Sequence, residues 1–162
     1  MSNTARVKVV FVCMGNICRS PTAHGVFQAL VDEQGLSDVI GVDSAGTHGY
    51  HIGSAPDQRS QACAKKNDVD LSGLRARQFF PEDFNNFTYV IGMDKANLRD
   101  MIAIRPDDYS ATAALLLEYS DKYSEDEIPD PYYGDDGFDL VFDMVKDGSV
   151  GLLRHIRQQH SL

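Results

Sequence analysis

Tryptophan is absent from this sequence, cysteine occurs only three times, and no apolar run approaches the length of a membrane span. A spanning helix needs about 20 apolar residues in a row, so we expect none. Three cysteines do not make the even-numbered framework of a disulfide-rich secreted domain, and the N-terminus lacks the pattern of a signal peptide. We therefore expect a cytoplasmic protein with free thiols.

Positive charge is also scarce, with 15 lysines and arginines against 24 aspartates and glutamates and a net charge of -9. Proteins that bind nucleic acids neutralise phosphates with basic side chains, so this balance argues against a nucleic acid partner. The five histidines lack the cysteine and carboxylate spacings that are typical of zinc sites. We expect no bound metal and no cofactor.

Short apolar runs, the first of them β-branched, alternate with amphipathic segments along the 162 residues. The runs predict four strands, at residues 6–12, 39–42, 89–93 and 113–117. Helical spacing of apolar residues predicts four helices, at residues 21–34, 57–66, 94–103 and 138–160. The alternation predicts one α/β domain over residues 1–162, with a four-stranded parallel sheet and helices on both faces.

In such a sheet, ligands bind at the carboxyl ends of the strands. Cys13 follows the first predicted strand, Ser44 the second and Asp94 the third, and Asp130 comes after the fourth. Because these strand ends lie at the same edge, we expect the four side chains to converge on one rim.

The segment CMGNICRSP, at residues 13–21, links the first strand to the first helix. Ser20 is predicted to be the helix N-cap, with Pro21 at the first helical position. Free N–H groups and the helix dipole favour an oxyanion such as phosphate there. The loop predicts a phosphate-binding site made by Met14, Gly15, Asn16, Ile17, Cys18, Arg19 and Ser20.

Cys13 stands in the field of this site. A helix N-terminus, the Arg19 guanidinium and the Ser20 hydroxyl stabilise a thiolate, so we expect a nucleophile at neutral pH. The planar fork of Arg19 suits two equatorial phosphate oxygens. Gly15 lets the backbone pass close to the anion, and Asn16 tolerates left-handed backbone. The alternative is a buried structural cysteine with Arg19 as a surface charge.

These residues carry a family resemblance. Residues 12–21 resemble the phosphate-binding loop of the low-molecular-weight protein tyrosine phosphatases, and residues 130–134, DPYYG, resemble the general-acid loop of that family. Residues 43–47 and 93–98 also fit, so the resemblance covers most of the chain. It implies a flavodoxin-like strand order and hydrolysis of phosphotyrosine and aryl phosphates through a phosphocysteine intermediate.

The resemblance also implies roles for single residues. Cys13 would be the nucleophile, Arg19 the phosphate clamp and Asp130 the general acid and then base; Asp130-Pro131 alone would indicate a simple turn. The residues expected to support the loop are Asn16, Ser20 and Ser44. The residues expected at the substrate rim, where apolar and aromatic side chains could enclose a phenyl ring, are Met14, Tyr50, Tyr132 and Tyr133.

The expected partners are a phosphotyrosine-containing protein, with a tyrosine kinase as one candidate, and inorganic phosphate or similar oxyanions. The family pattern implies reversible oxidation to a Cys13–Cys18 disulfide, whereas a packing thiol is the alternative for Cys18 and the expectation for Cys63. The acidic clusters are expected to be solvated surface; the alternative, for Asp135 and Asp136 close after the acid loop, is selection of substrates with basic residues beside the phosphorylated one.

One position departs from the family pattern. Many relatives carry a histidine that helps to brace the loop asparagine, and Leu74 stands there in this sequence. An arsenate reductase, which uses the same loop, would need further cysteines downstream, and none follows Cys63. A binding module without turnover would be expected to have lost Cys13 or Asp130, and both are present.

Overall fold

The computed structural model describes residues 5–134 and 136–162. Four strands are present in this part of the chain: Val7–Cys13 (β1), Ile40–Gly46 (β2), Tyr89–Gly92 (β3) and Thr112–Leu115 (β4). The helices are Arg19–Glu33 (α1), Gln58–Lys66 (α2), Asp83–Asn86 (α3), Lys95–Ala103 (α4) and Phe138–His160 (α5), and a 3₁₀ turn covers Leu116–Tyr119.

The four strands form one parallel sheet in the order β2-β1-β3-β4. Strand β1 lies in the middle, with Val9 paired to Val42 on one side and to Tyr89 on the other. A central strand covered on both faces favours a continuous β-branched run, which is what β1 supplies. The predicted α/β class and flavodoxin-like strand order are confirmed.

Helices cover both faces of this sheet, as predicted. On one face Phe11 of β1 packs edge-on against Phe27 of α1, with ring centroids 5.3 Å apart, in a core cluster that also includes residues of α5. On the other face Val10 belongs to a second cluster with Phe84 of α3 and Met101 of α4. The alternation of side chains along β1 therefore builds two separate apolar layers.

The structure departs from the sequence prediction at several boundaries and in one additional helix. Strand β2 runs on to Gly46 because it stays paired with β1, so Ser44 lies inside the strand and not after it. The predicted fourth strand ends at Leu115, and the next residues form the 3₁₀ turn, where Glu118 Oε2 accepts a hydrogen bond from Leu115 N at 2.6 Å. Helix α3, only four residues long, was not predicted.

Helix α5 is the longest helix described, with 23 residues. It approaches the 3₁₀ turn so closely that a Cβ at Gly151 would lie 1.7 Å from the Tyr119 carbonyl oxygen, which requires glycine at this position. Leu140 and Val150 of this helix are exposed. Neither α5 nor another helix in residues 5–134 and 136–162 has the length and apolar character needed to cross a membrane.

Candidate active site

A pocket of about 250 Å³ opens at the carboxyl edge of the sheet. Its walls combine the loop after β1, the loop after β2 and residues 130–133. The residues that line it are Cys13, Met14, Gly15, Ile17, Cys18, Arg19, Tyr50, His51, Asp130, Tyr132 and Tyr133. The structure thus brings the three expected catalytic side chains and the four expected rim residues to one cavity, from positions as far apart in sequence as 13 and 133.

Cys13, the last residue of β1, is 3% exposed. Its Sγ lies 3.0 Å from Ser20 Oγ, and the Ser20 N–H points to the same sulfur at 3.5 Å. The prediction of Ser20 as helix cap is wrong: α1 begins at Arg19, Cys18 occupies the N-cap position without a side-chain cap, and Ser20 lies in the first turn. The hydroxyl serves the sulfur of Cys13 instead.

Four carbonyl oxygens of the phosphate loop accept hydrogen bonds from neighbouring backbone. The pairs are Thr47 N to Cys13 O (2.9 Å), His48 N to Met14 O (2.9 Å), Asp57 N to Ile17 O (2.8 Å) and Thr22 N to Cys18 O (3.3 Å). In a trans peptide the next N–H points opposite to the carbonyl. The amides of Met14, Gly15, Cys18 and Arg19 therefore point toward the pocket that these residues line.

Asn16 holds this loop in shape. It is 2% exposed and adopts a left-handed conformation with φ 57°, which asparagine tolerates better than most residues. Its Oδ1 accepts a hydrogen bond from Arg77 N at 3.0 Å, and its Nδ2 donates to Ser20 Oγ at 2.7 Å. Leu74, where relatives often carry a histidine, packs against the larger core cluster. Asn16 thus has two partners that do not depend on that histidine.

The loop also lies against the end of β2. A Cβ at Gly46 would meet Met14 O at 2.8 Å, so glycine is needed for this close approach. Two residues earlier, the Ser44 hydroxyl lies 3.0 Å from His24 Nδ1 of α1. Burial lowers the pKa of His24, although the negative charge of Asp43 acts to raise it. Ser44 is therefore linked to the helix that begins at the phosphate loop.

Arg19 is 2% exposed and reaches the opposite side of the pocket. Its Nη1 donates to Asp94 Oδ2 at 2.6 Å and to the Ile128 carbonyl at 2.9 Å, while Nη2 lies 3.6 Å from Asp130 Oδ2. Burial acts to lower the pKa of Arg19, but the negative charges of Cys13, Asp94 and Asp130 outweigh it, and the pKa is raised. The guanidinium is therefore a fixed positive charge beside the thiol.

Asp94 does more than the sequence indicated. It caps α4, with Oδ1 accepting from Asn97 N at 2.8 Å in a capping box. Its other oxygen orients Arg19. This second contact joins residues 75 positions apart, so no local pattern could have indicated it.

Asp130 stands on the segment that leads away from Ile128, a fully buried residue whose N–H donates to Met93 O at 2.9 Å. Asp130 Oδ1 accepts a hydrogen bond from Tyr132 N at 3.0 Å, which closes a local turn. The side chain is 28% exposed. One carboxylate oxygen thus shapes the loop while the other faces Arg19.

The mouth of the pocket is aromatic. Tyr50 is 74% exposed and Tyr133 is 79% exposed, so both present ring surface to an incoming ligand. His51 was not predicted to be part of the rim, but it lines the pocket and its ring lies 6.2 Å from that of Tyr132. Asp136 is exposed after this loop, and Asp135 lies outside the described residues.

All three cysteines are buried free thiols. Burial, followed by the charge of Asp57, raises the pKa of Cys18 to about 12. Burial and the neighbouring Asp139 raise the pKa of Cys63 to about 11. Within residues 5–134 and 136–162, no group of three or more histidine, cysteine or acidic side chains is arranged to hold a metal ion.

Comparison with known proteins gives the same family as the loop sequences. The family model described as low molecular weight phosphotyrosine protein phosphatase matches residues 8–162. The human protein of that name is 43% identical over 146 residues, which cover 88% of this chain and 90% of the human protein.

Solved structures agree with this match. The crystal structure of YfkJ from Bacillus subtilis has a TM-score of 0.90 at 34% identity, covering 98% of this chain and 99% of YfkJ. A protein tyrosine phosphatase from Entamoeba histolytica, crystallised with HEPES in its active site, has a TM-score of 0.89 at 32% identity, covering 96% and 99%. The chain belongs to the low molecular weight phosphotyrosine protein phosphatases, a family of phosphomonoester hydrolases.

Proposed function

We propose that this chain, as one phosphatase domain, hydrolyses phosphotyrosine in proteins, and aryl phosphates, through a phosphocysteine intermediate. The observation that carries the proposal is the joint placement of Cys13, Arg19 and Asp130 on one pocket whose mouth is aromatic. A sulfonate buffer, HEPES, occupies the active site of the Entamoeba relative, which supports oxyanion binding at the equivalent place.

In the first step the Cys13 thiolate attacks phosphorus and forms an S–P bond while the P–O bond to the phenol breaks. Inward-facing loop amides and the Arg19 guanidinium hold the equatorial oxygens. Because these groups are already fixed before the reaction, they stabilise the transition state without reorganising. Asp130 gives its proton to the departing phenolate oxygen.

In the second step the ionised Asp130 takes a proton from water. The water oxygen bonds to phosphorus, the S–P bond breaks, and the thiolate and inorganic phosphate are released. Ser20 supports both steps, since its hydroxyl and its N–H both lie against the sulfur and stabilise the leaving thiolate.

The depth of the pocket explains why phosphotyrosine is selected over phosphoserine. The sulfur of Cys13 lies at the floor of the pocket, whereas the rings of Tyr50 and Tyr133 stand exposed at its mouth. A phosphorylated phenol is long enough to span this distance and can stack on the rim, while the short side chain of phosphoserine cannot. We propose a tyrosine-phosphorylated protein as substrate, with a tyrosine kinase as one candidate.

The free thiols support a reducing, cytoplasmic setting. They also support redox control by the loop cysteines. An oxidant such as peroxide converts Cys13 to a sulfenic acid, and the Cys18 thiol displaces water from it to form a disulfide. Thiol-labelling mass spectrometry after mild peroxide should find Cys13 linked to Cys18; Cys13 oxidised but never linked would refute the pairing.

The test of the activity is steady-state hydrolysis of an aryl phosphate by the intact protein, Cys13→Ser and Asp130→Ala. We expect no turnover by Cys13→Ser and a loss on the order of 10²-fold or more for Asp130→Ala. Cys13→Ser should still bind inorganic phosphate, which separates lost chemistry from a lost site. Phosphotyrosine binding without turnover by the intact protein would instead indicate a binding module.

A further inference from the structure

The acid loop, residues 128–134, is firmly anchored at its start. Ile128 is buried and bonded to Met93, but beyond it the hydrogen bonds from Tyr132 N to Asp130 and from Gly134 N to Pro131 O are local to the loop. Local bonds shape the loop without fixing its position over the pocket. Arg19 Nη2 lies 3.6 Å from Asp130 Oδ2, which is too long for a strong hydrogen bond, so a further contact from outside the loop would help to hold Asp130 in place for proton transfer.

Arg59 on α2 makes that connection. Its Nη2 donates to the Tyr132 carbonyl at 2.9 Å, and its Nη1 donates to the Gly134 carbonyl at 2.7 Å, across 73 and 75 residues of sequence. Its guanidinium carbon also lies 5.8 Å from the ring centre of Tyr132 and 4.7 Å from that of Phe138, the first residue of α5. One planar side chain thus bonds two points of the acid loop and contacts the start of the following helix.

Arg59 is itself held in place by Asp57. The two carboxylate oxygens of Asp57 accept from Arg59 Nε at 3.1 Å and from Nη2 at 3.0 Å, and these bonds lower the pKa of Asp57. The Asp57 N–H donates to Ile17 O at 2.8 Å in the phosphate loop. A continuous chain of contacts therefore runs from Ile17 through Asp57 and Arg59 to Tyr132.

We propose that Arg59 is a positioning residue that sets the distance between the general acid and the phosphate loop. This role of Arg59 rests on the proposed role of Asp130 as general acid. Arg59 itself does not line the pocket. Arg59 is 40% exposed, and an exposed ion pair contributes little to stability. Its effect is on geometry, where a displacement of about 1 Å can reduce the rate by about 10²-fold.

The experiment compares kcat/KM for two substrates. Phenyl phosphate releases a phenol that resembles tyrosine and needs the acid, whereas p-nitrophenyl phosphate releases a much more acidic phenol and needs it less. We expect Arg59→Ala to lower kcat/KM by about 10-fold for the first and by less than about threefold for the second. Arg59→Lys should recover only part of the loss, because an ammonium cannot bond both loop carbonyls and Asp57 in the same geometry.

A matched control is Arg154→Ala, which removes another exposed arginine whose Nη1 bonds Asp121 at 2.8 Å on the surface of α5. We expect it to leave kcat/KM unchanged for both substrates. The inhibition constant of inorganic phosphate checks the phosphate loop: it should stay within about twofold in Arg59→Ala. A parallel rise of this constant would place the effect of Arg59 on the phosphate loop and overturn the proposal.

A double-mutant cycle separates this proposal from the one it rests on. If Arg59 acts through Asp130, Arg59→Ala should have almost no further effect on phenyl phosphate in an Asp130→Ala background. An equal loss in both backgrounds would contradict the positioning role. If Asp130→Ala alone does not discriminate between the two leaving groups, the acid assignment fails, whatever Arg59→Ala does.

Discussion

The phosphate loop and the acid loop meet at one pocket but are held in opposite ways. In the phosphate loop Asn16 and Arg19 are each 2% exposed and Ser20 is fully buried, and neighbouring backbone bonds several of its carbonyls. In the acid loop Tyr133 is 79% exposed, and Arg59 supplies the contacts that reach α2. One loop belongs to the core and the other lies on the surface.

This difference follows from what each loop does. Stabilising the charge of a phosphoryl group needs dipoles that are fixed before the substrate arrives, and burial provides that rigidity. Proton donation needs a group at the mouth that admits a large substrate and still returns to one position. Changes in the phosphate loop should therefore affect folding and activity together, whereas changes in the acid loop should affect activity with little loss of stability.

The largest effect is expected at Arg19. Arg19→Lys keeps the positive charge but loses the fork that bonds Asp94 and Ile128 while presenting two donors to phosphate. We expect kcat/KM for p-nitrophenyl phosphate to fall by about 10³-fold, as when an oxyanion donor is removed. The exposed change Arg154→Lys should be neutral. A loss below about tenfold would show that charge alone, without the guanidinium geometry, is sufficient.

Asn16 tests the link between this loop and folding. Asn16→Ala removes two buried hydrogen bonds and leaves a non-glycine residue at φ 57°, so the free energy of unfolding should fall by about 3 kcal/mol. Asn16→Gly should recover about 1 kcal/mol, because glycine adopts this conformation without strain. Urea unfolding measures both, with the exposed Asn85→Ala as control. Equal losses for Ala and Gly would mean that φ at this position contributes nothing.

Asp94 connects the two loops, since it orients Arg19 beside Asp130. Asp94→Asn keeps a good helix cap but weakens the pair with Arg19, so kcat/KM should fall by about tenfold while the unfolding midpoint stays nearly unchanged. Asp94→Ala, which also removes the cap, should lower both. A midpoint that falls equally in the two variants would show that the effect comes from α4 and not from Arg19.

Prediction from the sequence was most accurate where the functional side chains lie close together along the chain. Residues 13–20 carry the nucleophile, the guanidinium and the hydroxyl within one short segment, and the four short apolar runs predicted the parallel sheet. Local preference failed at Ser20, because the sulfur of Cys13 and the amide of Asn16 bind the hydroxyl that would otherwise cap the helix. A cap preference describes a helix by itself, and here tertiary contacts decided.

The contacts that position the site could not be predicted in this way. Arg19 meets Asp94 across 75 residues, and Arg77 N meets Asn16 across 61. Arg59 reaches the acid loop across 73 and 75 residues. Each of these residues has an ordinary local setting on a helix or in a loop. Only the folded sheet, which brings strand ends together, shows that they converge.

The smallest expected effect is the pH dependence of stability that comes from His24. It should change stability without changing the chemistry at the acid loop. Burial lowers the pKa of His24 below its ordinary value of 6.5 in the folded protein. As pH falls through about 6.5 the unfolded chain takes up this proton first, so the stability that neutral His24 contributes is present above that pH and is lost toward the folded pKa. His24→Gln can still bond Ser44 but does not titrate. Urea unfolding at about pH 7.5 and about pH 5.5 should therefore show that the free energy of unfolding falls less for the variant than for the intact protein.

Because His24 lies behind the phosphate loop, the leaving-group dependence governed by Asp130 should be the same in both proteins. Parallel losses of stability would show that His24 takes up its proton equally readily in the folded and unfolded chains.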